Sequence, residues 1–381
     1  MGQAFNRTTI SVWFALAFIA FGYASASLAV EKESGVISHK PVFSTQQQPI
    51  TGSVIAQSTT DLCLVAGGTL DYLNKGQDYD PMAIRPGIVK QFSADLDRVK
   101  RTLAFICQVS KEDNAVGRKS RLQDLNFINQ HFDMIRWRPN KQQSRQFEQQ
   151  KTLLKRMPDE QILLTKYYIK KAKGSPIKTA ETPHALYQLP FDEQELTLEQ
   201  AQTQREKLTR FQLTKQQVLT GVLDHNQWAK PLVWFSRADL EDTLMQGTVK
   251  IDGSDTFYNV HRNNGIGYQR NVPKEQQERY WYFKQTDSVL GYGKDANYKI
   301  PIKPLVTVAG DLEHLGLGKL IMLTMNNEHR LTILADTGGA FENNQYQLDY
   351  LGGYFYNWRD YHQHYKNFPD YAEARILLLK D

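Results

Sequence analysis

Two carboxylates stand thirteen residues apart near the C-terminus: Asp336 in Ala335-Asp336-Thr337-Gly338-Gly339-Ala340-Phe341, and Asp349 in Leu348-Asp349-Tyr350-Leu351-Gly352-Gly353. Each lies on a short apolar segment, and Glu342-Asn343-Asn344-Gln345 between them is polar. This reads as a pair of strands joined by a turn, with an acid near the end of each. A third acid, Asp311, comes 25 residues before Asp336 and just ahead of the strand-like run Leu315 to Leu323. Acids gathered in a partly desolvated place raise one another's pKa, so that one keeps its proton near neutral pH and can serve as a general acid. The glycines at 338 and 339 would let a ligand approach the backbone closely.

The elements that must hold these acids are mixed in texture. Phe92, Leu96, Val99, Leu103, Ile106 and Val109 recur at spacings of three and four, the stripe of a core-facing helix. Leu122, Leu125, Ile128, Phe132 and Ile135 predict a second helix. Thr197-Leu198-Glu199-Gln200 and Thr214-Lys215-Gln216-Gln217 have the form of capping boxes. From Thr165 to Pro190 the texture is strand and loop, with Lys166, Lys170, Lys171, Lys173 and Lys178 read as a solvated face or an electrostatic rim. After Pro231 the pattern is nearly all β. Asp252-Gly253 between Thr248–Ile251 and Phe257–Val260 signals a hairpin. Ile300 to Thr307, Lys319 to Thr324, Leu331 to Ala335 and Ile376 to Leu379 read as further strands suited to a barrel.

The ordered motifs resemble those of the membrane-bound lytic transglycosylase A family, with its C-terminal three-aspartate domain. That family places an Asp ahead of a Pro-Leu-Gly strand, then Asp-x-Gly-Gly-Ala-Ile-Lys-Gly, then Asp-Ile-Tyr; the counterparts are Asp311, Asp336 to Ala340, and Asp349-Tyr350. Leu164-Thr165-Lys166-Tyr167-Tyr168 is similar to its Thr-Gly-Tyr-Tyr, Ala185 to Pro190 to its Pro-x-Tyr-x-x-Pro, and Thr214 to Leu223 to a Thr-Arg-x-Glu-Ile-x-x-Gly-x-Leu helix. Leu244-Met245-Gln246-Gly247 resembles a Gln-Gly-Ser-Gly strand, Asn264-Gly265-Ile266-Gly267-Tyr268 an Asn-Gly-x-x-Tyr motif, and Tyr280 to Lys284 an aromatic strand. The matches run in family order from about residue 160 to the end. Four features depart: Phe341-Glu342-Asn343 replaces Ile-Lys-Gly, Lys166 replaces a glycine, Gln246-Gly247 lacks the final Ser-Gly of its motif, and the Asp336–Asp349 interval is about two residues longer.

The resemblance implies a mainly β fold with N-terminal helices (α+β): a double-psi β-barrel domain, an inserted second β-barrel domain, and a groove between them. Residues 61–165 would form the helical part of the large domain, 166–284 the insert, and 285–381 the double-psi barrel. It implies a lyase that cleaves the bond between N-acetylmuramic acid and N-acetylglucosamine in peptidoglycan, leaving 1,6-anhydro ends. Asp349 would be the acid/base and Asp336 its partner, with Asp311 supporting; Thr165, Tyr167, Tyr168, Gln246, Gly247, Asn264, Gly265, Tyr268, Gly338 and Gly339 would contact glycan. A monomer is expected, with glycan strands and proteins of wall synthesis or turnover as partners, and neither metal nor organic cofactor. The alternative from another class is a wall-binding protein without turnover, motivated by the departures. Asp336-Thr337-Gly338 also resembles the triplet of aspartic proteases, but that chemistry needs two such aspartates sharing a proton, and the sequence holds no second Asp-Thr/Ser-Gly.

Composition agrees with an exported globular protein. The chain has 381 residues, 41% hydrophobic and 23% charged, enough for two or three domains. Arg7, the apolar run from Ile10 to Ala20, and Ala24 to Ala29 predict a signal peptide over 1–29, cut after Ala26 or Ala29, and a periplasmic product. The resemblance adds outer-membrane association as an alternative; no cysteine stands at the cut to mark a lipoprotein. Residues 30–60 read as a flexible lead-in. Removing 1–29 takes away Arg7 alone among charged residues, leaving 45 − 41 = +4, too mild for a nucleic-acid partner. Cys63 and Cys107 are the only cysteines, and either a disulfide or two buried thiols fits an exported chain. His362 and His364 lack acids at ligand spacing and read as surface residues.

Overall fold

A computed structural model describes residues 40–149, 151–269, 271–294, 296–339 and 341–381. The expected signal peptide and residues 30–39 of the expected lead-in lie outside them. Sixteen strands follow in chain order: β1 (Phe43–Gln46), β2 (Ser53–Val54), β3 (Phe132–Trp137), β4 (Ile162–Ala172), β5 (His184–Tyr187), β6 (Pro231–Phe235), β7 (Thr248–Ile251) and β8 (Phe257–Asn263). After these come β9 (Trp281–Thr286), β10 (Val289–Leu290), β11 (Pro301–Ile302), β12 (Thr307–Ala309), β13 (Leu320–Met325), β14 (Glu328–Asp336), β15 (Gln347–Phe355) and β16 (Tyr371–Leu379). Two long helices, α1 (Thr59–Leu73) and α2 (Leu96–Ala115), precede most of them.

Six strands close on themselves. β4 pairs parallel with β15, β15 antiparallel with β12, and β12 parallel with β14. β14 pairs with β13, β13 with β16, and β16 returns to β4, all antiparallel. This is the double-psi barrel expected from the motifs, and closure removes sheet edges that would otherwise need covering. α1 and α2 pack against it: Leu62, Val65 and Leu73 of α1 and Val99, Leu103 and Ile106 of α2 are buried in the same core as Leu320, Ile333, Leu348 and Leu377. The stripe read in the sequence therefore faces that core, although Phe92 falls in a short 3-10 turn before the helix. Asp95 caps α2 by accepting from the Arg98 amide. Cys63 and Cys107 are bonded, joining α1 to α2 with a Cα–Cα distance of 4.6 Å.

A second core gathers residues between Ala172 and Phe283, among them Leu186, Phe235, Leu240, Val249, Tyr280 and Tyr282. Strand β4 belongs to both bodies: its first part pairs in the barrel, while Lys170–Ala172 pair with β7 and lead into β8 and β9. β5 and β6 form a separate pair over this core. Both capping boxes close as read, with Thr197 and Gln200, and Thr214 and Gln217, exchanging bonds with each other's backbone.

Several expectations change. The lead-in is paired from Phe43 onward, since β1 pairs with β3 and β2 with β14. Phe132 and Ile135 lie on β3, because pairing with β1 and β16 outweighs a helical spacing that ends with Leu125–His131. The all-β reading after Pro231 misses the helix Arg237–Gln246, which Ser236 caps and Gly247 ends at φ 78°. Of the five lysines, Lys173 and Lys178 are exposed as a solvated face would be, but Lys170 is buried against Asp239 and Asp242, Lys171 pairs with Asp252, and Lys166 with Asp370.

Candidate active site

The two aspartates meet through strand register. Ala309 of β12 pairs with Asp336 of β14 on one side and with Asp349 of β15 on the other. Residues paired across neighbouring strands project from the same face, so both carboxyls stand over the small Ala309 side chain, with two strand spacings, about 10 Å, between their backbones. Thr165 of β4 continues the row beyond Asp349.

The surroundings of the two acids differ. Asp336 Oδ2 accepts from the Tyr167 hydroxyl at 2.8 Å, and its Oδ1 accepts from the Thr337 amide at 2.9 Å. Burial pushes its pKa up to about 6; the Tyr167 and Thr337 bonds and the Lys299 charge pull it down, and the Asp349 charge adds to the rise. Burial also raises Asp349, opposed by Thr165 and by the charges of Lys151 and Lys166. Its Oδ1 is enclosed yet has no hydrogen-bond partner among the described residues. Carboxylate oxygens filled by donors favour the ionised form, whereas an enclosed, undonated oxygen favours the protonated one. The hydrogen bonds thus mark Asp349 as the member suited to hold a deliverable proton. Tyr167 stays protonated as a donor, because burial first and the Asp336 charge second raise its pKa far above the ordinary value.

Both acids line a cleft of about 440 Å³ between the barrel and the second core. Tyr167, Tyr168, Gln246, Gly247 and Gly338 line it as well. Gln246 reaches it from a helix end rather than from the strand its motif suggested. Tyr168 is backed by Tyr361, stacked at 4.9 Å. Gly338 and Gly339 are exposed, and a Cβ at either would meet nothing in the chain closer than 4.0 Å. Sequence reading missed Lys299, Val260, Leu290 and Ile302 in the walls, and no motif marked them.

Asp311 does not line the cleft. It is buried, and its carboxylate accepts from the His314 amide at 3.1 Å and the Asn344 amide at 2.8 Å, and contacts His314 Nδ1 at 2.8 Å. Thr337 Oγ1 donates to the neighbouring Gly310 carbonyl at 2.8 Å. The Gly310–Asp311 corner therefore grips both ends of the connection between the two site aspartates, which is a positioning role. The Asn264 group is elsewhere too. Asn264 is buried and clasps Leu213 O, Glu278 O and the Tyr280 amide. Gly265 has φ 76°, where a Cβ would lie 2.8 Å from Phe211, and Tyr268 packs 5.0 Å from the Arg279 guanidinium. Motif spacing could not show that this segment bonds to the helical part of the second core instead of to the cleft. His362 and His364 are exposed on the helix Trp358–Tyr365, and among the described residues no group of three or more His, Cys, Asp or Glu could hold a metal ion.

Solved structures share this architecture. A membrane-bound lytic murein transglycosylase from Agrobacterium tumefaciens superposes with a TM-score of 0.54 at 14% identity, covering 84% of this chain and 93% of that one. This chain has the MltA fold. MltA from Neisseria gonorrhoeae gives 0.51 at 12% identity, over 89% and 95% of the two chains. No family model and no curated protein sequence matches the chain. The MltA likeness agrees with the order of motifs from residue 160 onward; identity this low carries the architecture, and chemistry rests on the residues themselves.

Proposed function

We propose that the chain is a peptidoglycan lytic transglycosylase whose acid/base is Asp349. One observation carries the reading: Asp349, with an enclosed carboxyl oxygen that has no partner among the described residues, lines the same cleft as Asp336, whose two oxygens are both occupied by donors. A lytic cleavage needs a single proton-transfer group. Asp349 gives its proton to the glycosidic oxygen as the bond to C1 of N-acetylmuramic acid breaks, and positive charge develops on the sugar ring. The ionised Asp336, held by Tyr167 and Thr337, stabilises that charge. The C6 hydroxyl of the same sugar attacks C1, Asp349 takes its proton, and the 1,6-anhydro ring closes with the starting protonation restored.

The walls suit a glycan. Tyrosine rings cover apolar sugar faces, the Gln246 amide can bond hydroxyl or acetamido groups, and the bare backbone at Gly338 and Gly339 leaves room for a sugar. Among the described residues no helix is long and apolar enough to cross a membrane; export by residues 1–29 would put the cleft in the periplasm with its substrate. The test is digestion of purified sacculi with analysis of soluble products by mass spectrometry. Anhydro-muropeptides are expected; a protein that pellets with sacculi and releases nothing would be a wall binder, and reducing-end products would make it a hydrolase.

A further inference from the structure

A cavity of about 640 Å³ lies away from the aspartates, over β1, β3, β13 and β16. Arg136 of β3 and Arg375 of β16 are direct cross-strand partners there, a register in which like charges repel. They share the Glu373 carboxylate, at 2.5 Å from Arg136 Nη1 and 2.8 Å from Arg375 Nη2. Arg138 Nε and Arg136 Nη2 share Glu160, at 2.8 and 3.7 Å. Three guanidiniums thus stand on two carboxylates, and of those two only Glu373 lines the cavity. The side chains of Arg136 and Arg375 are only 9% and 11% exposed, so water screens the surplus charge poorly.

The forks are fixed in place. Arg138 Nη1 donates to Ser44 Oγ at 2.9 Å, and Arg375 donates to Gln46 Oε1 at 2.7 Å and Thr324 Oγ1 at 3.0 Å. A guanidinium carries five N–H donors in a plane that matches a carboxylate; Arg136 Nη2 also donates to the Glu160 carbonyl at 2.8 Å, and among the described residues these bonds leave several of the donors unused. Neutral amides and hydroxyls of Thr45, Gln47, Gln48 and Asn327 continue the wall. The volume is that of a small-molecule site, roughly 300–1,000 Å³, far more than one inorganic oxyanion fills.

We propose that this cavity binds a short peptide by its terminal carboxylate, the arginines taking the carboxylate and the glutamines the peptide amides. The site is independent of the aspartate cleft. It is tested by calorimetric titration of the full chain with N-acetyl-alanyl-alanine, with the same peptide as its C-terminal amide, and with inorganic phosphate. The acid is expected to bind with one site per chain, at least tenfold more tightly than the amide and more weakly as salt rises. Arg138→Gln should lower its affinity at least tenfold with an unchanged circular dichroism spectrum, and Glu373→Gln should raise it. If Arg138→Gln does not fold, Gln47→Ala must weaken binding in its place. Equal binding of acid and amide, no binding of either, or phosphate binding as tightly as the peptide and displacing it would each overturn the assignment.

Discussion

On the proposed reading, replacing Asp349 by asparagine removes the one proton that the cleft delivers. The amide keeps the shape of the carboxyl on β15, so the barrel and the walls built from Tyr167, Gln246 and Gly338 should stay in place. General acid–base catalysis contributes about 10²–10⁴-fold, and here the same group would act in both halves of the reaction, so release of anhydro product should fall by at least 10³-fold. Binding of glycan fragments should change less than threefold. The pH profile gives an independent check. In the proposed scheme the active pair holds one proton, on Asp349, with Asp336 ionised. Activity should fall on the alkaline side as Asp349 loses its proton and on the acid side as Asp336 gains one. Burial raises Asp336, so the acid limb should lie above the ordinary carboxylate range. Asp336→Asn removes the acid limb and moves the alkaline limb to lower pH, because Asp349 loses the neighbouring charge that favours its protonated form. The assay is time-resolved mass spectrometry of products from sacculi between pH 4 and 8. A fully active Asp349→Asn beside a dead Asp336→Asn would exchange the two roles, and activity surviving in both would remove the cleft from catalysis.

Three further outcomes follow from particular contacts. Tyr167→Phe deletes the 2.8 Å bond that lowers the pKa of Asp336; the acid limb of the rate profile should move to higher pH, and an unmoved limb would show that the tyrosine only packs. Lys319 is fully buried, and burial lowers its pKa to about 7. The unfolded chain, at the ordinary 10.5, then binds more protons than the folded one between pH 7 and 10.5. Stability should rise with pH through that window, by up to about 5 kcal/mol, and Lys319→Met should be more stable at pH 7 and flatten the rise in urea melts at pH 7 and 9.5. The Cys63–Cys107 bond closes a separation of 44 residues, for which chain entropy gives about 4 kcal/mol. Reduction should lower the thermal midpoint measurably, and thiol reagents should label neither cysteine in the unreduced, denatured protein.

The parts legible in the sequence are those whose signals are local. The apolar run ending in Asp336 became β14, the Asp252-Gly253 turn joined β7 to β8, and both capping boxes formed. What could not be read depends on partners distant in the chain. Nothing around Asp133 announces that β3 will lie between β1 and β16, and nothing around Lys299 says that it will face Asp336. The Asn264 motif carried the right residue types for a glycan contact, but its amide was claimed by backbone groups of Leu213, Glu278 and Tyr280. A buried asparagine must satisfy both ends of its amide, and residue identity alone does not reveal which groups will do so.

In the proposed scheme two like residues in one cleft take unlike roles. Pairing with Ala309 brings Asp336 and Asp349 to one face, so register supplies their proximity. Their difference comes from where each strand goes next. β14 ends at Asp336, so the chain turns there and the Thr337 amide is free to point at the carboxylate. Asp349 is the third residue of β15, between paired neighbours, where the backbone amides are committed to the sheet. A terminal position offers the anion a donor and an interior position withholds one. Moving the end of β14, for instance by shortening the 337–346 connection, should therefore narrow the difference between the two carboxyls before it disturbs the barrel, and the two limbs of the pH profile should draw together. Limbs that stay apart in a folded, shortened chain would place the origin of the asymmetry in Tyr167 alone.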